Sequence, residues 1–184
     1  MREEPHPPKV SRFRPNPPPD DPVYSSVPDD GLCLNAFVLI RPESGSDRVL
    51  LGRIDPDAPW ETIGGMSRRR IATMGDRWML PSRQLRLFEA PEEAARAILK
   101  DQLGIDRLAL EGPKVTSEAW QRPEPAGKGL HWDLSFLFEG TWPQGRPLSS
   151  PPWRELKFHR PSELDPRNVG RSQFDVLALA GFLA

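Results

Sequence analysis

The chain has 184 residues, a formal net charge of −1, 23 prolines, six tryptophans and a single cysteine. That length suits one domain with a proper core, and the near-neutral charge argues against bulk attraction to DNA, RNA or a membrane surface. Cys33 alone forms neither an intrachain disulfide nor a thiolate metal cluster, and its setting in GLCLNAFVLI reads as a buried small hydrophobe. The start MREEPHPP lacks the apolar stretch of a signal peptide, and no run approaches membrane-spanning length. The expectation is a soluble, cytoplasmic protein.

Residues 1–30 are rich in proline and mixed charge and poor in large hydrophobes, which predicts an extended or disordered arm. PPPDDP is either a polyproline recognition ligand or part of an arm lying along its own domain. The folded domain is expected over residues 31–184. Leu32–Arg41 is almost wholly apolar and ends at Pro42, as a central strand covered on both faces would. Val49–Ile54 follows a Gly-containing turn and predicts a hairpin partner for it. A long connection from Asp55 to Asp76 includes a short helix over Ser67–Met74; loops of this length are uncommon unless structured or functional. Arg77–Leu80 predicts a third strand. Pro91 to Gly104 predicts a helix, with proline at its first position, Glu92 and Glu93 against the dipole, and glycine as its stop. Ala95, Leu99 and Leu103 are its core stripe. Leu108–Leu110 and Val115–Trp120 are strand-like, Arg122–Gly129 is an open loop, and Leu130–Glu139 alternates. In it Trp132, Leu134, Phe136 and Phe138 take one face and His131, Asp133 and Ser135 the other. Thr141–Pro152 is a loop and Trp153–His159 a last strand. A final helix opens at Ser172 with Asp175 three positions on, and Val176, Leu179, Ala180 and Leu183 share a face. The sum is an α/β fold with a mixed sheet in α/β/α layering.

The most informative stretch is Leu80–Ile105, LPSRQLRLFEAPEEAARAILKDQLGI: a strand end, a charged loop and a short amphipathic helix. It resembles the motif of the Nudix hydrolases: Gly, five residues, Glu, seven residues, Arg-Glu-aliphatic, one residue, Glu-Glu, one residue, Gly-aliphatic. Anchored on Gly104, the pattern matches at Glu89, Leu99, Gly104 and Ile105. Asp101 is a shortened acid and Gln102 an uncharged Glu shape, while Arg83, Ala97 and Ile98 depart from it. Trp78-x-Leu80-Pro81 and Pro91-Glu92-Glu93-Ala94-Ala95 look like common family variants. A register on Gly64-Gly65 fails, because it puts Ile71 at the first Glu. The resemblance implies a Nudix-like α/β/α sandwich with a mixed β-sheet.

The resemblance also implies Mg²⁺ or Mn²⁺, bound by acids at positions 98, 101 and 102, to neutralise a diphosphate and activate water. Here those positions are Ile98, Asp101 and Gln102, so a standard cluster is not expected. The family's Arg–Glu brace across the loop is also missing, because Ala97 cannot pair with Glu89. The candidate catalytic set is Glu89, Glu93, Asp101 and Gln102, and a relocated single-metal site would use Asp101 and Glu93. The alternative makes Glu92, Glu93 and Asp101 a solvated helix face. His131 and Asp133 are either substrate-binding or a structural pair. Arg83 and Arg86 are candidate phosphate-binding residues, since guanidinium groups grip phosphate without a metal. Arg68, Arg69 and Arg70 either add to that charge or form an exposed helix edge. Trp60 and Trp142 either stack a base or pack an interface.

Two classes of function follow from the resemblance. One is a hydrolase of nucleoside diphosphate derivatives with a reduced or rearranged metal site. The other is a catalytically silent Nudix-fold module that binds a nucleotide-type small molecule or a protein. A homodimer or an oligomeric scaffold is left open.

Overall fold

The computed structural model describes residues 12–13, 32–121, 130–143, 152–170 and 173–183, with the side chains of 12–13, 119–121 and 130–131 excluded. The predicted arm over 1–30 lies outside these residues except for the backbone of Arg12–Phe13. The predicted loop over 122–129, most of the one after Thr141, and Ser172 also lie outside them.

The organising strand is Leu32–Arg41 (β2), after the two-residue strand Arg12–Phe13 (β1). Further strands are Val49–Ile54 (β3), Trp78–Met79 (β4), Ser82–Gln84 (β5), Glu111–Gln121 (β6), Leu130–Thr141 (β7) and Trp153–His159 (β8). The mixed sheet runs β1-β2-β7-β6, with β5 also on β2. β2 pairs in parallel with β7 from Leu32↔Trp132 to Arg41↔Thr141, while β1 and β5 share its other edge. A second, antiparallel sheet has the order β4-β3-β8. The predicted hairpin of β2 with β3 does not form. Both edges of β2 are taken by strands distant in sequence, so the chain crosses after the turn and β3 pairs instead with β4 and β8.

The helices are Trp60–Ile63 (α1), Arg68–Met74 (α2), Pro91–Leu103 (α3) and Gln173–Leu179 (α4). On β2 the pleat sends Ala36, Val38 and Ile40 into a core with α3, and Phe37 and Leu39 into a core with α4. β3 splits the same way, Leu50 to the first core and Val49 and Leu51 to the second. This is the α/β/α sandwich. In α4 the buried pair is Val176 and Leu177, whereas Leu179, expected on the apolar face, is exposed at the short helix's last position.

The tryptophans left open by the sequence are packing residues. Trp60 is fully buried, meets Trp153 edge-on at 4.6 Å, and donates its Nε1 hydrogen to Asp55 O at 2.8 Å. Trp142 is buried and crosses Phe158. Trp153 lies over Gly52, where even a Cβ would come within 2.3 Å of the indole.

One titratable group sits half-buried at the edge of this core. The His159 ring packs tilted against Trp78, centroids 4.1 Å apart, and its buried Nε2 has no partner among the described residues. Burial pushes its imidazole below the ordinary 6.5, Lys157 and Arg53 act in the same direction, and Glu155 opposes them. The unfolded chain therefore takes up a proton at a pH where the folded chain does not. This share of stability is intact above the unfolded-state pKa and is lost as pH falls through it toward the folded-state value. Thermal unfolding of His159→Gln should show a shallower loss of Tm than the native chain between about pH 7 and about pH 5. An equally steep loss would show that other groups set the acid limb.

Candidate functional site

The Leu80–Ile105 stretch folds as strand, loop and helix, with β5 added where the sequence suggested only a turn. β5 is short because only Ser82, Arg83 and Gln84 reach β2, opposite Phe37, Ala36 and Asn35. Residues facing each other across that pair share a side, so Arg83 points with Ala36 toward α3, while Gln84 points with Asn35 to the other face. The loop then closes on itself. Glu89 N–H donates to Arg86 O at 3.1 Å, and Arg86 N–H donates back to Glu89 Oε2 at 2.7 Å. Phe88 sits at the tip, 97% exposed and at φ 66°. Arg86 Nη2 donates to Thr62 O at 3.0 Å, which ties the loop to α1.

α3 starts at Pro91, and the Glu93 carboxylate accepts from Ala90 N–H at 3.0 Å, satisfying one of the helix's free donors. It ends at Gly104 in the left-handed conformation (φ 62°), with Ile105 N–H closing onto Leu99 O at 2.8 Å. Its buried side is broader than the predicted stripe: Ala94, Ala95, Ile98, Leu99, Gln102 and Leu103.

Each candidate residue now has a place. Glu89 is braced after all, though not from position 97: Arg83 Nη2 lies 3.4 Å from Glu89 Oε1, with side chains only 2% and 13% exposed. The brace expected to be missing is rebuilt from β5. Burial pushes the Arg83 guanidinium below its ordinary value; Glu89 holds the proton on, Arg86 opposes it, and Asp101 adds to the attraction. Arg83 therefore faces the protein interior, and Arg86 is the exposed arginine of the pair. Gln102 is fully buried and donates to Ser82 O at 2.8 Å and Ile63 O at 3.3 Å. Its Oε1 has no partner among the described residues. Glu93 and Asp101 are both exposed. Asp133 accepts from Asn35 Nδ2 at 3.1 Å on the α4 side of the sheet, and the His131 side chain lies outside the described residues. The α3 groups and Asp133 thus occupy opposite faces.

The donor set does not fit a Nudix-type metal cluster. Ile98 is part of the core and has no donor atom. Gln102 faces two carbonyl oxygens with its amide hydrogens. Both Glu89 oxygens already face Arg83 and Arg86 N–H. Of positions 98, 101 and 102, Asp101 alone offers an exposed carboxylate, and hard divalent ions need several oxygens. Among the described residues no three or more His, Cys, Asp or Glu side chains come together as a metal-binding group.

Two concave regions lie beside this stretch. A polar cleft on the β2–β7 face, bounded by Asn35, Gln84, Asp133, Ser135, Met66 and Arg70, leaves only about 30 Å³ of free space. Gln84 fills part of it, its amide oriented to accept from Arg70 Nη1 at 3.0 Å and donate to Gly65 O at 3.2 Å. Asn35 and Gln84 were not among the expected functional residues; a lone Asn in the apolar run of β2 was the available signal. The larger space is a groove of about 450 Å³ between residues 56–62 and α2, with Arg68, Thr62, Asp57 and Glu61 on its walls.

Many solved structures are similar to this chain. The E. coli dihydroneopterin triphosphate pyrophosphohydrolase has a TM-score of 0.51 at 17% identity, over 81% of this chain and 93% of that one. A MutT NUDIX hydrolase from Burkholderia pseudomallei gives 0.51 at 16%, over 80% and 97%. The MutT protein of Methanosarcina mazei Go1 gives 0.52 at 15%, over 82% and 92%. The fold is that of the Nudix hydrolases. No family model matches the sequence, and no curated protein matches it. The Nudix layout is present here, with position 98 given to core packing and position 102 to internal hydrogen bonds. Among the described residues no helix is long and apolar enough to cross a membrane.

Restoring acids at those positions should cost stability. Ile98→Glu places a carboxylate in a sealed apolar core, and Gln102→Glu sets one against two carbonyls while removing both donors. Chemical denaturation should show each lowering stability by roughly 3 kcal/mol, whereas Asp101→Asn should stay within about 1 kcal/mol. A neutral Ile98→Glu would mean that this turn of α3 opens to water.

Proposed function

We propose that the chain is a catalytically silent Nudix-fold module that binds a nucleotide-type ligand carrying a diphosphate. The observation that carries this reading is the occupation of the metal-bearing helix positions by Ile98, a core residue, and by Gln102, an internal donor. Water activation by a divalent ion needs a cage of oxygens, and Asp101 offers one carboxylate toward it. The choice of ligand class draws on the fold and on the similar E. coli enzyme, whose name makes it a pyrophosphohydrolase of dihydroneopterin triphosphate.

The groove beside α1 and α2 is the favoured place for the ligand, because its volume of about 450 Å³ falls in the usual range for small-molecule sites. Arg68 lines it, and Arg86 is tied to one of its lining residues by a hydrogen bond to Thr62 O. They supply charge-assisted hydrogen bonds to phosphate oxygens without a metal. Asp57 and Glu61 offer acceptors for sugar hydroxyls. Arg83, buried against Glu89, supports the loop that carries Arg86 rather than meeting the ligand itself.

The test pairs titration calorimetry with product analysis. Nucleoside diphosphates and their sugar-linked derivatives are added in Mg²⁺ and in Mn²⁺. The expected result is saturable binding without turnover, weakened about tenfold or more by Arg68→Ala or Arg86→Ala. Metal-dependent turnover abolished by Asp101→Ala would overturn the silent reading in favour of a hydrolase with a relocated metal site.

A further inference from the structure

β6 is the last strand of the mixed sheet, and among the described residues no strand pairs with its outer edge. At 11 residues it is long for an edge strand. Such an edge leaves a row of backbone N–H and C=O groups that another strand would satisfy. The usual protections cluster at its start: Pro113 removes a donor, and the register with β7 shifts between Glu111 and Lys114. From Lys114 to Glu118 the register is regular. The pleat sets Lys114, Thr116 and Glu118 on one face, opposite Leu137, Ser135 and Asp133 of β7. Val115 and Ser117 take the other face, where Val115 is 51% exposed. Lys114 Nζ donates to Glu139 Oε1 at 2.6 Å, but its side chain is half exposed and an ammonium has three hydrogens to give. Glu139 does not rely on it alone, because Arg41 Nη2 lies 2.9 Å from the other carboxylate oxygen.

Charge along this run is self-complementary. A two-fold axis through the sheet at Thr116 sets the strand antiparallel to its own copy, Thr116 opposite Thr116 and Val115 opposite Ser117. Lys114 then stands opposite Glu118 on both sides of the axis. Within β6 it is the only two-fold register centred on a residue that sets a base against an acid. We propose that residues 114–118 of β6 are an interface for a second copy of this chain, extending the mixed sheet across that axis and closing two Lys114–Glu118 ion pairs. A copy fits better than an unrelated strand because the order, base before acid four residues apart on one face, is the complement of itself. Opposite charges directly across antiparallel strands attract and like charges repel, which fixes the register. On the other face the two exposed Val115 side chains become diagonal neighbours and cover one another. β6 contributes no residue to the groove beside α1 and α2, so the interface does not depend on the nucleotide reading.

Sedimentation velocity of the full chain over a concentration series tests it. The native chain is expected to pass reversibly from monomer to dimer. Lys114→Glu and Glu118→Lys each set like charges across the axis and are expected to weaken association about tenfold or more. An equimolar mixture of the two variants restores opposite charges in both pairs, and is expected to dimerise at concentrations where neither chain does alone. A native chain that stays monomeric would overturn the proposal. A dimer indifferent to both reversals refutes it, as does a mixture of two folded variants that fails to associate. Where a reversed chain does not fold, hydrogen exchange of the native chain decides. Protection at 114–118 that grows with the dimer supports the interface. A dimer that leaves these amides no better protected than the monomer does refutes it, whether the edge is open or already covered by another part of the chain.

Discussion

One side chain, Gln102, ties together most of what surrounds the candidate site. Its amide hydrogens reach Ile63 O at the end of α1 and Ser82 O in β5, and the residue's backbone carbonyl accepts from Trp153 Nε1 of β8 at 3.0 Å. Helix, mixed sheet, small sheet and insertion all meet there. Only a side chain with two hydrogens to give suits this position; a carboxylate of the same shape would face two carbonyls and bring a charge into a fully buried site. Gln102 is thus more than a Glu that has lost its charge. It is the donor that locates α3, and that role excludes the one a metal would need.

The same logic accounts for the loop. The turn from Arg86 to Glu89 places Phe88 in the left-handed region, which costs a residue with a side chain about 1 kcal/mol or more. The conformation persists because its neighbours over-determine it: Glu89 engages Arg83 and Arg86 N–H, and Arg86 holds α1. An exposed phenylalanine at the tip contributes nothing to the core, so the turn is held from its base. The Arg83–Glu89 pair sits at that base, where exclusion of water makes the loss of either partner expensive.

How much of this was legible in the sequence depends on the distance over which each feature is decided. The bounds of β2 and β3 follow from apolar runs punctuated by Pro and Gly, and α3 follows from Pro91 and Gly104, all local signals. The false hairpin came from treating neighbours in sequence as neighbours in the sheet, although β7, nearly a hundred residues later, outcompetes β3 for β2. β5 and α1 are too short, at three and four residues, to show a period. The loss of acids at positions 98 and 102 was readable residue by residue. The brace from β5 was not, because Arg is absent at 97 and present at 83, and only the fold shows that position 83 faces Glu89.

That exchange bears on how the fold and its chemistry separate. In a site that depends on a metal, the acids and the loop geometry are coupled, because repulsion among carboxylates must be answered by an ion. Here the counter-charge to Glu89 is a side chain, Arg83. Ile98 then extends the core shared with Leu99 and Trp153, and Gln102 knits the elements together. Both side chains serve the scaffold, and neither offers a metal an anionic oxygen. Arg83 on β5 carries the charge balance at the loop instead. Without it, Glu89 would stand half-buried beside α3 with no side-chain cation to balance it.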